Sequence, residues 1–445
     1  MLVDVSAGQE VKRVAGEPSL LERLLFVAIM LLGIALTRVA AGEDSDSGSL
    51  PAEIVWAFAY LLAMVGIYAE RETAYPLIRK SLPLLLIVGI AALSTLWSYD
   101  PALTLRRAFG LFGTTAIAFY LVSRYSLRAF LETLVLTINA SAIISLFMVV
   151  VTPEYGLMQE RYQGAWQGLF WEKNRLGGVM EIGIVTMLLM LPSTRGRYRI
   201  YLWCSVVLCA VLLGGSRSAT PIVALLFVLL CLSVMFRLRR KKIGFAVTLV
   251  GSALVALAVC AHLVGYGPED VLLLLGRDPT LTGRTEIWSY VIRYIEQKPV
   301  LGWGYQVFWE VDGPVRRYLM KDLGWEPVSA HNGFLEIALQ FGLVGLAVFM
   351  AFLVEALRRT LRLFNSSDER LDAWPLLAVI SLIVMNVADP TFAVYNELRW
   401  VVFVTAFLYA TLGYHRKSTR DEFDHSEHLG FQAGWNGTPS NGTLR

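Results

Sequence analysis

The stretch SAHNGFLEIALQFGLVG, from Ser329 to Gly345, decides the fold, because its part from Phe334 onward is apolar enough to enter a lipid bilayer. Comparable apolar runs of about 16 to 25 residues recur along the chain, and each is long enough to cross a hydrocarbon core about 30 Å thick. Of the 445 residues, 56% are hydrophobic and 17% are charged, and the mean hydropathy is +0.56. This composition excludes a soluble protein of two or three charged domains and predicts a polytopic membrane protein.

The apolar runs predict an all-α membrane protein of about 12 transmembrane helices. The predicted spans are roughly 22–41, 53–69, 82–97, 108–123, 130–152, 175–192, 199–215, 218–236, 243–266, 333–357, 374–391 and 399–414. The chain is thereby divided into a leader over 1–21, nine helices over 22–266, a large loop over 267–332, three helices over 333–414 and a disordered tail over 415–445. The leader has no small-residue cleavage site, so the first span is predicted to be a retained helix.

The distribution of lysine and arginine predicts the orientation. An even number of spans places both termini on one side, and the leader, the tail and the loops of that side hold 24 of the 39 basic residues. The positive-inside rule therefore predicts cytoplasmic termini and an external loop over 267–332. The net charge of only +3 gives no reason to expect a nucleic-acid partner. The four cysteines all lie inside apolar runs, so we predict small buried side chains without a disulfide or a zinc site.

Basic residues on the external side need a separate explanation, because the charge bias disfavours them there. GGSRSATP places Arg217 in a very short turn between the seventh and eighth spans. FWEKNRLGG places Lys173, Asn174 and Arg175 at the outer end of the sixth span, and LTGRTEIW places Arg284 in the large loop. Flanking glycines allow a ligand to approach the backbone closely in all three places. For Arg217 the alternative is that the side chain only reaches lipid phosphates.

Lipid headgroups are an alternative partner for other arginines near the external side as well. Arg106 and Arg107 in WSYDPALTLRR form a pair that the charge rule disfavours, so they are candidates for a ligand, although lipid headgroups would hold them as well. For Arg175 and Arg399 we predict contacts with lipid phosphates rather than a functional role.

The segment after Arg284 has the pattern of an amphipathic helix that ends before Pro299. Its apolar stripe consists of Ile287, Trp288, Val291, Ile292 and Ile295. A short helix with an aromatic residue on its apolar face is typical of the membrane interface. It would hold Arg284 at headgroup depth, where the diphosphate of a lipid-linked donor would lie.

His331 stands at the junction between the large loop and the tenth span. Asn332 is a candidate N-cap, and Gly333 leaves space around the start of the helix. An imidazole with an ordinary pKa near 6.5 can accept a proton at neutral pH, although a single histidine at a helix start can also be a plain polar terminus. Together with several external arginines, it indicates transfer from a lipid diphosphate to a hydroxyl group. The guanidiniums would stabilise the leaving diphosphate and make a divalent metal optional.

Four motifs resemble the O-antigen ligase and polymerase superfamily. They are HNGFLEIALQFGLVGL, GRTEIW followed by KPVLGWGYQVFW, the SRS after the seventh span, and FWEKNRLGG. The resemblance covers about residues 90 to 412, and within the superfamily FWEKN and GRTEIW look more like the branch that includes exopolysaccharide polymerases.

The resemblance implies a metal-independent, inverting membrane glycosyltransferase with a GT-C type fold, without a cofactor, in the bacterial inner membrane and with a periplasmic site. Its donor would be a glycan on undecaprenyl diphosphate, and its acceptor either lipid A–core or a lipid-linked repeat unit. By motif, His331 would be the catalytic base and Arg217 and Arg284 would contact the diphosphate. The full predicted substrate-binding set is Arg217, Arg284, Lys173, Asn174, Asn332, Arg106 and Arg107.

Two alternatives remain open at the level of sequence. GEDSDSG places Glu43, Asp44 and Asp46 in the first external loop, where a metal-dependent GT-C transferase would use Asp44 and Asp46 to hold a divalent cation; Glu310 and Asp312 are a weaker pair of the same kind. The second alternative is a flippase or transporter for lipid-linked oligosaccharides, which would need ionisable groups near the middle of the membrane.

Overall fold

The computed structural model describes residues 17–42, 50–159, 162–237, 284–310 and 327–413. Within these ranges the protein is built of helices, and β-pairing is limited to an isolated antiparallel bridge between Leu157 and Trp166. The helices are α1 (Leu20–Gly42), α2 (Leu50–Ala69), α3 (Arg71–Arg79), α4 (Leu82–Leu93), α5 (Pro101–Arg124), α6 (Leu127–Val151), α7 (Lys173–Met190), α8 (Gly196–Gly215), α9 (Ala219–Arg237), α10 (Arg284–Gln297), α11 (Gly333–Ser366), α12 (Trp374–Asn386) and α13 (Leu398–Gly413).

Each predicted span that falls within the described ranges is occupied by a helix, so the prediction of an all-α membrane protein is confirmed. The helices long and apolar enough to cross a membrane are α2, α6, α7 with the turn that follows it, α8 and α11. The leader up to residue 16, the acidic residues 43–46, the ninth span 243–266 and the tail 415–445 lie outside the described residues. The total of twelve spans and the external position of the large loop stay predictions.

The third predicted span differs from the expectation. The loop predicted before it is a helix, α3, and α3 together with the segment Leu82–Leu96 forms an apolar pair bent by 79°. The break coincides with Pro83, which lies in the first turn of α4 and cannot donate a backbone hydrogen bond to the preceding turn. The chain therefore changes direction between Lys80 and Leu82.

Helix α11 continues to Ser366, beyond the predicted end at residue 357, and its regular course is interrupted at Gly342. The segment after α10 packs into this interruption: Trp303 N donates to Leu339 O at 2.9 Å, and Leu343 N donates to Pro299 O at 2.7 Å. Gly342 has φ of 67° and ψ of −168°, a conformation open to glycine but not to residues with a Cβ. The loop backbone thus replaces part of the helical ladder.

We expect Gly342→Ala to lower the free energy of unfolding by at least about 2 kcal/mol. A Cβ there would lie 2.6 Å from Leu301 N and still closer to the carbonyl of Val300, so backbone would have to move. The matched control is Gly89→Ala, because a Cβ at Gly89 meets nothing within 4 Å and alanine favours a helix. Thermal unfolding in detergent measures both; equal melting temperatures for the two variants would contradict the close approach.

The loops predicted to be cytoplasmic meet at one end of the helices. The contacts are Arg23 Nη1 to Glu132 Oε2 at 2.9 Å, Arg124 Nε to Glu22 Oε1 at 3.1 Å, Arg359 Nη1 to Lys80 O at 2.9 Å and Tyr409 Oη to Tyr125 O at 3.0 Å. This grouping agrees with the predicted alternation of the spans. Which side of the membrane this end faces stays a prediction.

The outer surfaces of several helices are apolar, as a lipid environment requires. Ile54, Leu61 and Val65 on α2 are exposed at intervals that follow the helix, and Val207 and Val211 do the same on α8. Among the described cysteines, Cys209 is buried as predicted but Cys204 is exposed on α8, so the prediction of a buried side chain is wrong for Cys204.

Candidate active site

His331 lies in a tight turn at the start of α11. The Oδ1 atom of Asn332 accepts hydrogen bonds from Phe334 N at 3.0 Å and Leu335 N at 3.1 Å, which confirms the predicted N-cap. His331 itself has φ of 46°, in the left-handed region that costs a non-glycine residue about 1 to 3 kcal/mol. Gly333 packs so closely against the side chain of Asn386 that no Cβ would fit. The turn is therefore held in one strained conformation from several directions.

Two carboxylates from distant parts of the chain lie beside His331. Glu172 precedes α7 and Asp389 follows α12, and a nitrogen of His331 and one oxygen of each carboxylate all lie within 4.8 Å of one another. Glu172 and His331 are half-buried, whereas Asp389 is buried. The fold thus places an imidazole next to two acids that would stabilise its protonated form.

A buried ion network supports this group from behind. Arg399 Nη1 donates to Asp389 Oδ2 at 2.7 Å and Arg399 Nε donates to Glu397 Oε1 at 3.0 Å. Arg175 Nη1 lies 2.6 Å from Glu397 Oε2. Since only 1% of Arg399 is exposed, the prediction that its side chain reaches lipid phosphates is wrong. Asp389 and Glu397 are buried at the ends of apolar helices, where the guanidinium of Arg399 neutralises them. The sequence around Arg399 does not show that both carboxylates lie beside it.

The acids in this network have pKa values displaced in opposite directions. Burial raises the pKa of Glu172 to about 7, and the neighbouring charge of Asp389 adds to this effect. Burial would also raise the pKa of Glu397, but the guanidiniums of Arg399 and Arg175 outweigh it and lower the pKa to about 2. Near neutral pH Glu397 is therefore ionised, whereas Glu172 is close to its midpoint. The negative charge of the neighbouring acids would stabilise the imidazolium that forms when His331 takes up a proton.

The turn that carries Arg217 is tied to the start of α7. Ser218 Oγ donates to Asn174 Oδ1 at 2.6 Å, and Asn174 Nδ2 donates to Glu172 Oε1 at 2.6 Å. Arg217 is exposed and has φ of 49°, and its Nη1 lies 3.9 Å from the position that a Cβ on Gly164 would take. Hydrogen bonds thus connect three of the predicted segments: the Arg217 turn, the Lys173–Asn174 segment and, through Glu172, the surroundings of His331.

Lys173 and Arg175 each lie over an aromatic ring. Lys173 Nζ is 3.7 Å from the centre of the Tyr162 ring, and the guanidinium carbon of Arg175 is 4.5 Å from the Trp171 ring. Such contacts fix the directions of long cationic side chains. Both cations are therefore held at the outer end of α7, beside Glu172.

Arg106 and Arg107 have carboxylate partners elsewhere in the protein. Arg106 pairs with Glu53 at 3.0 Å on the surface. Arg107 is bonded to Glu310 and to the backbone carbonyl of Gln306, which attaches α5 to the segment after α10. These contacts explain both arginines structurally, and their predicted role in substrate binding stays a prediction.

Arg284 is the first residue of α10, and its side chain lies outside the described atoms. The predicted amphipathic helix is confirmed, because α10 covers Arg284–Gln297 with Ile287 and Val291 buried. These two side chains pack with Phe308, Ala330 and Leu339, so the apolar stripe faces the protein near His331. The prediction that this stripe faces the membrane interface is therefore wrong for its buried part.

Sequence reasoning missed Glu172, Asp389 and Glu397. Glu172 stands inside the quoted motif FWEKN, directly before the residues that were selected. Asp389 is followed by proline at the outer end of the eleventh predicted span, and Glu397 precedes the twelfth. Acids at the same predicted membrane face as His331 were the available signal, but only packing shows that they meet.

Glu172, His331 and Asp389 offer one nitrogen and two oxygen ligands, a set that divalent transition ions accept. Asp389 already accepts from Arg399, however, and Glu172 accepts from Asn174. The guanidiniums supply the positive charge that an ion would bring, so the arrangement fits proton transfer at least as well as metal binding. Glu43, Asp44, Asp46 and Asp312 of the metal alternatives lie outside the described residues.

Comparison with known proteins gives three matches. Residues 202–350 match the family described as Wzy_C, O-antigen ligase. The chain is 26% identical over 313 residues to the exopolysaccharide production protein ExoQ of Rhizobium meliloti, which covers 66% of this chain and 69% of that protein. It is also 31% identical over 87 residues to a Rickettsia typhi protein named as a candidate polysaccharide ligase, which covers 19% of this chain and 22% of that protein.

Proposed function

We propose that the protein transfers a glycan from a lipid diphosphate to a sugar hydroxyl group, because residues 202–350 match the O-antigen ligase family. The donor is a glycan on undecaprenyl diphosphate, and the reaction takes place at the periplasmic face of the bacterial inner membrane. The observation that carries the chemistry is the group of His331, Glu172 and Asp389, whose reactive atoms lie within 4.8 Å of one another. An imidazole between two acids is suited to take a proton from a hydroxyl group.

In this mechanism His331 is the general base. As the acceptor oxygen attacks the anomeric carbon, its proton passes to His331 and the bond between that carbon and the diphosphate oxygen breaks. The electron pair of the broken bond stays on the diphosphate, where Arg217 and Arg284 bind the developing charge. Asp389 and Glu172 stabilise the imidazolium that results. Attack from the face opposite the diphosphate inverts the anomeric centre, and the reaction needs no metal.

We infer that the acceptor is a second lipid-linked repeat unit, which makes the protein a polymerase. The alignment with the exopolysaccharide production protein spans 313 residues and supports this choice. The test is reconstitution with a lipid diphosphate oligosaccharide and two acceptors, lipopolysaccharide core and a second lipid-linked repeat unit. A ladder of products supports polymerisation, one addition to core makes the protein a ligase, and no product with either acceptor contradicts glycan transfer and favours transport. EDTA is expected to leave the yield unchanged.

In the same assay we expect Arg217→Ala and Arg284→Ala each to lower the rate of transfer by about 10- to 100-fold, because each loses charged hydrogen bonds to the diphosphate. The matched control is Arg293→Ala, which removes an exposed arginine from the same helix as Arg284. The control should transfer at the wild-type rate. Wild-type rates in both test variants would show that neither arginine contributes to binding the diphosphate in the rate-limiting step.

A further inference from the structure

We propose that Trp288 is a positioning residue for His331, since its indole holds the peptide that precedes the histidine. Trp288 Nε1 donates to Ala330 O at 2.9 Å. Ala330 is completely buried, so its carbonyl oxygen depends on this partner. The inference rests on the proposed role of His331 as the base and adds a residue that does not touch the substrate.

The other side of the same residue is held by α11. Ala330 N donates to Glu336 Oε2 at 2.9 Å. Glu336 is fixed in turn by Trp309 Nε1 at 3.0 Å and by Gln340 Nε2 at 2.9 Å. The amide and the carbonyl of Ala330 are therefore bonded to two different helices, and together these bonds fix the orientation of both peptide planes around Ala330.

This restraint matters because His331 is in the left-handed region, with φ of 46°. A residue other than glycine keeps such a conformation only where its surroundings impose it. The peptide between Ala330 and His331 sets the direction in which the imidazole leaves the backbone. If the carbonyl of Ala330 lost its donor, this peptide would rotate to find another one, and the imidazole would move away from Glu172 and Asp389.

Trp288 also links the histidine to the helix that begins with Arg284. The two residues are one turn apart on α10, and the buried side chains Ile287 and Val291 keep that helix against the turn of His331. The position of the base relative to the predicted diphosphate ligand is therefore set through α10.

The experiment is a comparison of Trp288→Phe with Trp303→Phe in the reconstituted transfer assay. Both changes keep an aromatic ring and remove one indole donor. Trp303 packs against Tyr294, and its Nε1 donates to Tyr294 O at 2.9 Å, outside the His331 turn. We expect Trp288→Phe to lower kcat by about 10- to 100-fold with the KM for donor changed less than about twofold, because a displaced base slows the chemical step and leaves donor binding intact. Trp303→Phe should keep the wild-type kcat.

Thermal unfolding of both variants separates positioning from stability. A loss of kcat in Trp288→Phe at a melting temperature equal to that of Trp303→Phe supports the inference. Wild-type kcat in Trp288→Phe, an equal loss in both variants, or a rise in KM without a fall in kcat overturns it. His331→Ala in the same assay tests the proposed function separately: if that variant keeps its activity, the base is wrong whatever Trp288→Phe does.

Discussion

His331→Ala is expected to reduce the rate of glycan transfer by about 10²- to 10⁴-fold while the protein still inserts and folds. The imidazole is flanked by two acids, Glu172 and Asp389, that would stabilise its protonated form. Its removal leaves the acceptor hydroxyl to lose its proton to water. The measurement is the initial rate of product formation from a lipid diphosphate donor in proteoliposomes.

The control for this variant is His425→Ala, which changes a histidine of the predicted cytoplasmic tail. It should transfer at the wild-type rate. The melting temperature of His331→Ala should stay close to that of the wild type, because alanine keeps the Cβ that makes the φ of 46° unfavourable and leaves the surrounding backbone contacts in place. Transfer within about tenfold of wild type by a folded His331→Ala protein would be too fast for the loss of a general base.

Arg399→Met is expected to lower the free energy of unfolding by about 3 to 5 kcal/mol. The guanidinium of Arg399 is bonded to Asp389 and Glu397, and only 1% of the residue is exposed. Methionine has a side chain of similar length but leaves the two buried carboxylates without this guanidinium. Removing one partner of a buried ion pair destabilises a protein more than replacing both partners by apolar residues. Chemical unfolding in mixed micelles gives the free energy directly.

Arg175→Met is the matched control, because Arg175 shares the partner Glu397 but is half-buried and bonds no second acid of the network. Its expected loss is smaller than that of Arg399→Met, since Glu397 keeps Arg399. If the two variants lost the same stability, or if Arg399→Met matched the wild type, the buried network would not be what holds the loop of Asp389 in place.

The sequence by itself determined the features that depend on neighbours along the chain. Long apolar runs predict membrane helices because each backbone polar group must be bonded inside the segment and each side chain must suit lipid. Asn332 was predictable as an N-cap because its side chain serves amides only two and three residues ahead. The apolar stripe of α10 was also predictable, because it follows from the spacing of apolar residues within one helix. The side chains against which this stripe packs were not predictable.

The tertiary structure alone decided which of these segments meet. Glu172, His331 and Asp389 lie far apart in the sequence, and no periodicity relates the start of α7 to the loop after α12. From the sequence, Arg399 was expected to reach lipid phosphates, whereas in the fold it is paired with two acids. The interruption at Gly342 likewise depends on a loop forty residues earlier that comes within hydrogen-bonding distance. Local propensities act within a few residues, whereas ion pairs and backbone contacts between helices depend on how the helices pack, and that is settled only when the whole bundle forms.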